Sequence, residues 1–282
     1  MTLSPNGAEL MERLRVVLQR VAPGRRFALA YSGGLDSRFL SHASGLLGFK
    51  PLLIHVTGVH VGGDENLALS WARRQGFRLK LIELAPLDVE EVARGTRERC
   101  YGCKKATFSA IRREAEGLPV CDGTNHSDVS PGVWRPGIRA LKELGIESPL
   151  QEARLGKPEI HFLAAETGME RPDQLPEPCL LTRLPYGRAP TVGTLLKLKK
   201  AEQAVREVLR RAGASQLPFR LRLVAPGRPE LHFSRAFAKE LTPALMESAR
   251  QAAVSTAPED FSGLACRVLD TLSGYYDRQS QG

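Results

Sequence analysis

The chain has few aromatic residues, few cysteines and no long apolar run. No segment of its 282 residues approaches the roughly 18 apolar residues of a membrane span, and its start lacks a basic stretch leading into an apolar core. We therefore expect a cytoplasmic protein with no membrane partner. Aromatic residues, at 6%, offer few platforms for base stacking, so nucleic acid is not the expected partner.

The cysteine count and the charge narrow the class of protein further. Five cysteines are too few, and odd in number, for the disulfide scaffold of a chain this long. In a reducing compartment they stay thiols or metal ligands. The hydrophobic content of 42% is that of a globular protein, with room for two domains. A formal net charge of +9 favours an anionic substrate, but charge alone does not separate a nucleotide from RNA.

Apolar strands alternate with amphipathic helices through the first two-thirds of the chain. The predicted strands are Phe27–Tyr31, Pro51–Thr57, Leu79–Leu84 and Leu118–Cys121. The predicted helices are Glu9–Val21, the segment after residue 37, Asp64–Arg74 and Lys104–Glu114. This order predicts an α/β fold with a doubly wound parallel sheet, whose ligands bind at the carboxyl ends of the strands.

The pattern changes near residue 188, where we place the boundary between domains 1–187 and 188–282. The second domain is predicted to be a small α+β unit. Its predicted elements are a basic helix over Thr191–Ala212, a hairpin of Phe219–Val224 with Glu230–Ser234, a helix over Arg235–Val254 and a strand over Leu264–Leu269.

The hexapeptide Ser32–Ser37, Ser-Gly-Gly-Leu-Asp-Ser, directly follows the first predicted strand and precedes a helix. Gly33 and Gly34 let the backbone approach a ligand closely, and the N–H groups of a helix N-terminus favour an anion. The hydroxyls of Ser32 and Ser37 add donors. Asp36 either caps the helix or helps to hold Mg²⁺. The motif resembles the PP-loop, Ser-Gly-Gly-x-Asp-Ser, of ATP pyrophosphatases, which implies that it binds the phosphates of ATP. It is not a Walker loop, because the lysine that ends a Walker loop is absent.

Other polar residues follow the neighbouring strands. Thr57 ends the second strand, and Asp122 and Gly123 follow the fourth, so we expect all three at the ATP site. Asn125 and Asp128 come directly after them as candidates for binding the substrate. For both aspartates, a purely turn-forming role is the alternative.

Cys100 and Cys103 form a C-x-x-C pair at the start of a helix, among basic residues, and Cys179 lies in a later segment. Cations and a helix N-terminus both favour the thiolate form. Zinc, a redox dithiol and an iron–sulfur cluster held by three thiolates are the functional alternatives, beside a purely structural role. Cys121 and Cys266 lie in apolar strands, and we expect them to be inert.

Together these motifs resemble the LarE family of ATP-dependent sulfur transferases, within the PP-loop ATP pyrophosphatases. The matching segments run in order through most of the chain: 31–37, 99–104, 122–125 with Asp128, 135–137, 143–150 and 178–187. The resemblance implies an enzyme that adenylylates a carboxylate of a pyridinium nucleotide, the precursor of the nickel-pincer cofactor. Sulfur then displaces AMP and leaves a thiocarboxylate.

The resemblance also implies roles for the cysteines and arginines. One branch of the family gives up the sulfur of a cysteine matching Cys179, whereas members with three cysteines are similar to the branch that holds a 4Fe–4S cluster. Guanidinium groups suit the carboxylates and phosphate of such a substrate. The candidates are Arg135, Arg139, Arg183, Arg220 and Arg222. Phe233 stands where the family is expected to have an acidic residue. This departure leaves the identity of the substrate that accepts the sulfur undetermined.

Three alternatives share the ATP-binding loop. A tRNA thiolase would use the same adenylylation on a base, but no appended RNA-binding domain is evident. An amide-forming ligase would leave the three cysteines without a role. A nucleotide-binding or iron–sulfur-binding protein without turnover is the non-enzymatic alternative. The oligomeric state is also open, with a homo-oligomer among its options.

Overall fold

The computed structural model describes residues 3–129 and 136–279. It divides into two compact units that alternate along the chain. Unit 1 comprises Met1–Gly58, Asp64–Leu84 and Cys100–Pro176, and unit 2 comprises Val59–Gly63, Ala85–Arg99 and Glu177–Gly282. The sequence predicts instead a single boundary near residue 188.

The helices and strands are numbered in chain order. The strands are β1 (Arg26–Ala30), β2 (Lys50–Thr57), β3 (Arg78–Glu83), β4 (Val120–Cys121), β5 (Phe219–Ala225), β6 (Arg228–Ser234) and β7 (Ala265–Leu269). The helices are α1 (Pro5–Val21), α2 (Leu35–Leu46), α3 (Glu65–Arg74), α4 (Glu90–Ala93), α5 (Arg99–Glu114), α6 (Pro136–Glu143), α7 (Pro149–Glu152), α8 (Lys157–Glu166), α9 (Val192–Arg211), α10 (Pro243–Val254), α11 (Pro258–Phe261) and α12 (Tyr275–Gln279). Short 3-10 turns lie at Pro86–Asp88, His126–Val129, Leu180–Arg183 and Arg235–Glu240.

Unit 1 is built on a four-stranded sheet with the order β3-β2-β1-β4. All of its pairings are parallel, as the strand–helix alternation predicts. Successive side chains of a strand point to opposite faces of the sheet, and those of β1 are apolar on both faces. Phe27 and Leu29 pack with α1, α2, α3 and α8, whereas Ala28 packs with α5 and α6. Helices on both faces of a parallel sheet are what a doubly wound fold requires.

Unit 2 holds a separate three-stranded sheet with the order β5-β6-β7. β5 and β6 form the predicted antiparallel hairpin, and β7 pairs with β6 in parallel. The predicted basic helix is confirmed as α9, whose Thr191 side chain accepts a hydrogen bond at the N-terminus.

The single helix predicted over residues 235–254 is wrong. Residues Arg235–Glu240 form a 3-10 turn, and α10 begins separately at Pro243. Proline lacks the N–H that a helix interior needs but fits a first turn, and Thr242 caps α10 by accepting from the Leu245 N–H at 3.1 Å. The apolar periodicity alone did not detect this break.

Among the described residues, no helix is long and apolar enough to cross a membrane.

Candidate functional site

The strand order of unit 1 places a topological switch point beside β1. The chain adds β2 and β3 on one side of β1 and then crosses over to add β4 on the other side. Open parallel sheets bind ligands at the carboxyl ends of their strands at such a point. Ser32–Ser37 follows β1, and the turn at Asp122 follows β4. The two segments that the sequence predicts to bind ATP therefore lie at the switch point.

The loop between β1 and α2 has the conformation of an anion cradle. Gly33 has a φ of 77°, and a Cβ there would lie 2.2 Å from the Cβ of Ala68, so only glycine fits. Gly34 is the N-cap of α2 with a φ of −71°, and among the described residues no side chain caps this helix. The Ser32 and Ser37 hydroxyls lie 3.2 Å apart beside it. The first N–H groups of α2 are therefore available to a phosphate.

Lys157 supplies the cation that the loop itself lacks. Its ammonium, at the start of α8, donates to the two carboxylate oxygens of Asp36 at 2.6 and 2.7 Å. Burial raises the pKa of the Asp36 carboxyl, although Lys157 opposes the rise. Lys157 is not among the residues predicted from the sequence, because a lysine at the start of a helix is only a weak signal of a binding site. The pair places one positive and one negative group beside the phosphate cradle.

The turn after β4 lies against this loop. A Cβ on Gly123 would lie 3.1 Å from the Ser37 nitrogen, so glycine allows the close approach. The Asp122 carboxylate accepts hydrogen bonds from the Thr124 N–H at 3.1 Å, from the Thr124 hydroxyl and from the Ser148 hydroxyl at 2.7 Å. Asp122 therefore holds the turn, which is the alternative that the sequence left open.

Asn125 and Asp128 are also engaged in this turn. The buried Asn125 side chain accepts from the Ser127 N–H at 2.9 Å, and Asp128 accepts from the Asn125 N–H at 3.2 Å. Thr57 ends β2 at the same edge of the sheet, and its hydroxyl donates to the Ile82 carbonyl at 3.5 Å. The structure thus brings the predicted ATP residues of unit 1 to one edge.

Two of the arginines that are predicted to bind substrate, Arg135 and Arg139, belong to unit 1. Arg139 is exposed on α6, where its guanidinium lies 4.0 Å from the centre of the Tyr101 ring and 3.7 Å from the Glu143 carboxylate. Those contacts are typical of a surface charge. Arg135 lies outside the described residues.

Arg183, in unit 2, is held inside the protein. Its side chain is buried and forms a two-pronged ion pair with Glu202 of α9, at 2.6 and 3.1 Å. The remaining guanidinium nitrogen donates to Thr182 at 2.7 Å. Burial alone would raise the pKa of Glu202, but Arg183 lowers it below its ordinary value. Glu202 also accepts from the Leu221 N–H of β5 at 3.0 Å, so this pair joins three elements.

The register of the hairpin places Phe233 on the face of the sheet that does not carry the arginines of β5. Phe233 pairs with Phe219, whereas the arginines of β5, Arg220 and Arg222, stand opposite His232 and Glu230. Since alternate residues of a strand share a face, Glu230 and His232 lie on the arginine face and Phe233 on the other. The arginine face therefore keeps a carboxylate.

A buried hydrogen-bonded chain runs through that face. A guanidinium nitrogen of Arg222 lies 2.6 Å from His232 Nδ1, and His232 Nε2 lies 2.7 Å from the Glu230 carboxylate. Burial lowers the pKa of His232, which favours the neutral ring. A neutral ring that donates to Glu230 through Nε2 accepts from Arg222 through Nδ1. Burial also lowers the pKa values of Arg220 and Arg222 to about 10.

The cysteines are divided between the units. Cys100 and Cys103 lie in the first turns of α5 in unit 1, and Cys179 precedes a 3-10 turn in unit 2. Burial raises the pKa of the Cys103 thiol to about 11, against the thiolate that its basic neighbours suggest. Among the described residues, no group of three His, Cys, Asp or Glu side chains is placed to hold a metal ion. The iron–sulfur site therefore stays a prediction.

Three proteins are similar to this chain over most of its length. The chain is 30% identical over 204 residues to an uncharacterized protein of Methanocaldococcus jannaschii, covering 71% of this chain and 77% of the relative. An uncharacterized protein of Synechocystis sp. is 32% identical over 200 residues, or 69% and 72% of the two chains. The pyridinium-3,5-bisthiocarboxylic acid mononucleotide synthase of Lactiplantibacillus plantarum is 29% identical over 213 residues, or 73% and 74%. No protein-family profile matches the chain.

Proposed function

We propose that this chain, which belongs to the same family as the Methanocaldococcus and Synechocystis proteins, is an ATP-dependent sulfur transferase. The similarity to the Lactiplantibacillus synthase supports a LarE-like enzyme of cofactor biosynthesis. The proposed acceptor is a pyridinium mononucleotide that carries a carboxylate, and the proposed product is its thiocarboxylate.

The observation that carries the proposal is the phosphate cradle at the switch point, with Lys157 bonded to Asp36 beside it. A carboxylate is a poor electrophile, so replacing its oxygen by sulfur needs prior activation. A carboxylate oxygen attacks the α-phosphorus of ATP, the bond to the β-phosphate breaks, and pyrophosphate leaves. A sulfur nucleophile then attacks the acyl carbon, and AMP departs with the original carboxylate oxygen.

The residues of unit 1 have distinct parts in the first step. The first N–H groups of α2 and the hydroxyls of Ser32 and Ser37 bind the phosphates. Lys157 moves from Asp36 to the departing pyrophosphate and offsets its charge. Asp36, freed from Lys157, offers an oxygen ligand of the kind that Mg²⁺ prefers. One carboxylate suffices, because Mg²⁺ is usually bound through one or two carboxylates together with the nucleotide phosphates. Mg²⁺ would neutralise the leaving group.

The proposal also assigns residues to the binding of the acceptor and to the handling of sulfur. Arg220 and Arg222 lie on one face of β5, opposite His232 and Glu230 of β6. We propose that the two arginines bind the phosphate of the acceptor. Cys100, Cys103 and Cys179 are the proposed sulfur-handling residues. Since the described residues offer no group of three metal ligands and Cys103 is held as a thiol, we derive no step through an iron–sulfur cluster.

Exchange of labelled pyrophosphate into ATP tests the activation step. Wild-type protein with Mg²⁺ should catalyse exchange only when a pyridinium mononucleotide carboxylate is present. Lys157→Ala should reduce the exchange about ten- to hundredfold, the effect of losing a charge-assisted contact. Lys80→Ala is the matched control, because Lys80 pairs with Glu114 and Glu116 on the surface of the same unit. Exchange that is unaffected by Lys157→Ala would exclude the assigned role, and formation of ADP would exclude adenylylation.

A further inference from the structure

The carbonyl of Gly33 in the phosphate loop is held by a side chain from a distant segment of unit 1. Gln174 donates from its amide nitrogen to the Gly33 carbonyl oxygen at 3.1 Å, across 141 residues of chain. The Gln174 amide oxygen faces the other way and accepts from Arg38 Nη1 at 2.5 Å. One planar amide thus connects the loop to the helix behind it.

Arg38 is a rigid support for this contact. It lies on α2, its side chain is fully buried, and its guanidinium lies 4.9 Å from the centre of the Trp71 ring. Its second terminal nitrogen donates to the Glu170 carbonyl, four residues before Gln174. Arg38 therefore fixes both the segment that carries Gln174 and the orientation of the Gln174 amide. Nothing in the proposed chemistry otherwise calls for a buried guanidinium on α2.

The orientation of this particular peptide matters for an anion. The Gly33 carbonyl and the Gly34 N–H belong to one planar trans peptide, so they point in opposite directions. Glycines on both sides of a peptide make its rotation easy, since each glycine reaches positive and negative φ at similar cost. If the peptide turned over, an oxygen would replace an N–H in the cradle and repel a phosphate.

We infer that Gln174, braced by Arg38, is a positioning residue that locks the Gly33–Gly34 peptide with its N–H toward the bound nucleotide. The inference rests on the proposed nucleotide site but not on the acceptor or the sulfur source. The Gly34 N–H donates to the Ser32 hydroxyl at 3.3 Å, so it points toward a hydroxyl that we assign to phosphate binding. The Gln174 contact keeps the Gly34 N–H in the orientation that phosphate binding requires.

Selective labelling makes this peptide visible by itself. The sequence contains two Gly-Gly pairs, Gly33–Gly34 and Gly62–Gly63. Protein made with glycine labelled at the carbonyl carbon, mixed with glycine labelled at nitrogen, gives carbonyl–amide correlations only from those two peptides. Gly34→Ala, for which the loop has space, removes the Gly33–Gly34 signal and so assigns it. The Gly62–Gly63 peptide, in unit 2, is the internal control.

Two variants test the lock. Gln174→Ala removes both contacts, and Gln174→Glu keeps an acceptor for Arg38 but presents no N–H to Gly33. Both should move the Gly33–Gly34 signal, leave the Gly62–Gly63 signal in place and weaken binding of Mg·ATP about two- to tenfold. Gln174→Ala should also lower the melting temperature, because the buried Arg38 loses an acceptor, whereas Gln174→Glu should not. The exposed Gln75→Ala should change neither signal nor affinity.

An unmoved Gly33–Gly34 signal in both variants, or a lower melting temperature with unchanged affinity, would overturn the lock. If wild-type protein binds no ATP at all, the proposed function fails. In that case the Gly33–Gly34 signal alone still confirms or refutes the Gln174 contact.

Discussion

At the scale of single residues, the two loop glycines have different tasks. Gly33 adopts a positive φ and lies against Ala68, whereas Gly34 has an ordinary φ and space for a Cβ, 3.4 Å from the Ser32 hydroxyl. The sequence shows that both are glycine but not which of them has to be. The positive φ and the close contact with Ala68 identify Gly33.

Gly33→Ala should destabilise the protein by more than about 1 kcal/mol, the cost of a left-handed conformation before the clash with Ala68 is added. Gly34→Ala should change stability by less than about 0.5 kcal/mol. Urea unfolding of the two variants measures the difference. Equal stabilities would mean that the loop does not have this conformation.

The buried chain of Arg222, His232 and Glu230 predicts a pH effect on stability. Since burial lowers the pKa of His232, the folded protein binds a proton there less readily than the unfolded chain, whose value is near 6.5. Stability should therefore fall as the pH drops below 6.5 toward the lowered pKa, by at most about 1.4 kcal/mol per pH unit.

His232→Gln cannot take up this proton, so the fall of unfolding free energy with decreasing pH should be shallower in the variant. Glutamine still offers an acceptor to Arg222 and a donor to Glu230. Above pH 7 the two proteins should show the same slope. A variant that keeps the wild-type slope at low pH would show that His232 does not titrate in this way.

At the scale of elements, the Arg183–Glu202 pair joins the 3-10 turn at Leu180–Arg183 to α9 and β5. Removing one partner leaves a buried charge uncompensated. Arg183→Ala should therefore lower the free energy of unfolding by about 3–5 kcal/mol. Arg210→Ala is the control, because Arg210 forms an exposed pair with Glu207 on the same helix and should cost less than about 1 kcal/mol.

The outcome also decides between two roles for Arg183. A stable Arg183→Ala variant that turns over its acceptor poorly would support the substrate contact that the sequence suggests. A variant with the expected loss of stability supports the structural role that the ion pair indicates.

The elements themselves were largely predictable from local patterns. Buried parallel strands such as β2 read as continuous apolar runs. The alternation of apolar and basic residues predicted the strand β5, but it did not predict that Arg222 on its basic face is buried. Apolar periodicity continues through residues 235–254, but the capping pair Thr242-Pro243 starts a new helix within them. A cap stabilises a helix through individual hydrogen bonds, and apolar periodicity averaged over a whole segment does not reveal them.

At the scale of the whole molecule, contacts between distant segments were not predictable. Lys157 reaches Asp36 across 121 residues, and Gln174 reaches Gly33 across 141. The sequence located the phosphate loop because its residues are contiguous. It did not locate the loop's partners, since no local pattern specifies which distant polar groups meet.

The sulfur-handling cysteines can be tested together. In anaerobic turnover, Cys100→Ala, Cys103→Ala and Cys179→Ala should each lower the yield of thiocarboxylate, whereas Cys121→Ala and Cys266→Ala should leave it unchanged. Because the thiolate is the reactive form of cysteine and burial raises the pKa of Cys103, the yield should fall as the pH is lowered. Conversion of Cys179 to dehydroalanine during turnover, seen by mass spectrometry, would instead identify a sacrificial cysteine.

ATP is proposed to activate a carboxylate of the acceptor, and isotopic labelling of that carboxylate shows where its oxygen goes. The acceptor is prepared with heavy oxygen in its carboxylate and incubated anaerobically with the protein, Mg²⁺ and ATP, and AMP and the acceptor are analysed by mass spectrometry. Adenylylation predicts AMP that carries one heavy oxygen and an acceptor in which sulfur replaces that oxygen. AMP without heavy oxygen, or ADP as the nucleotide product, would contradict the account.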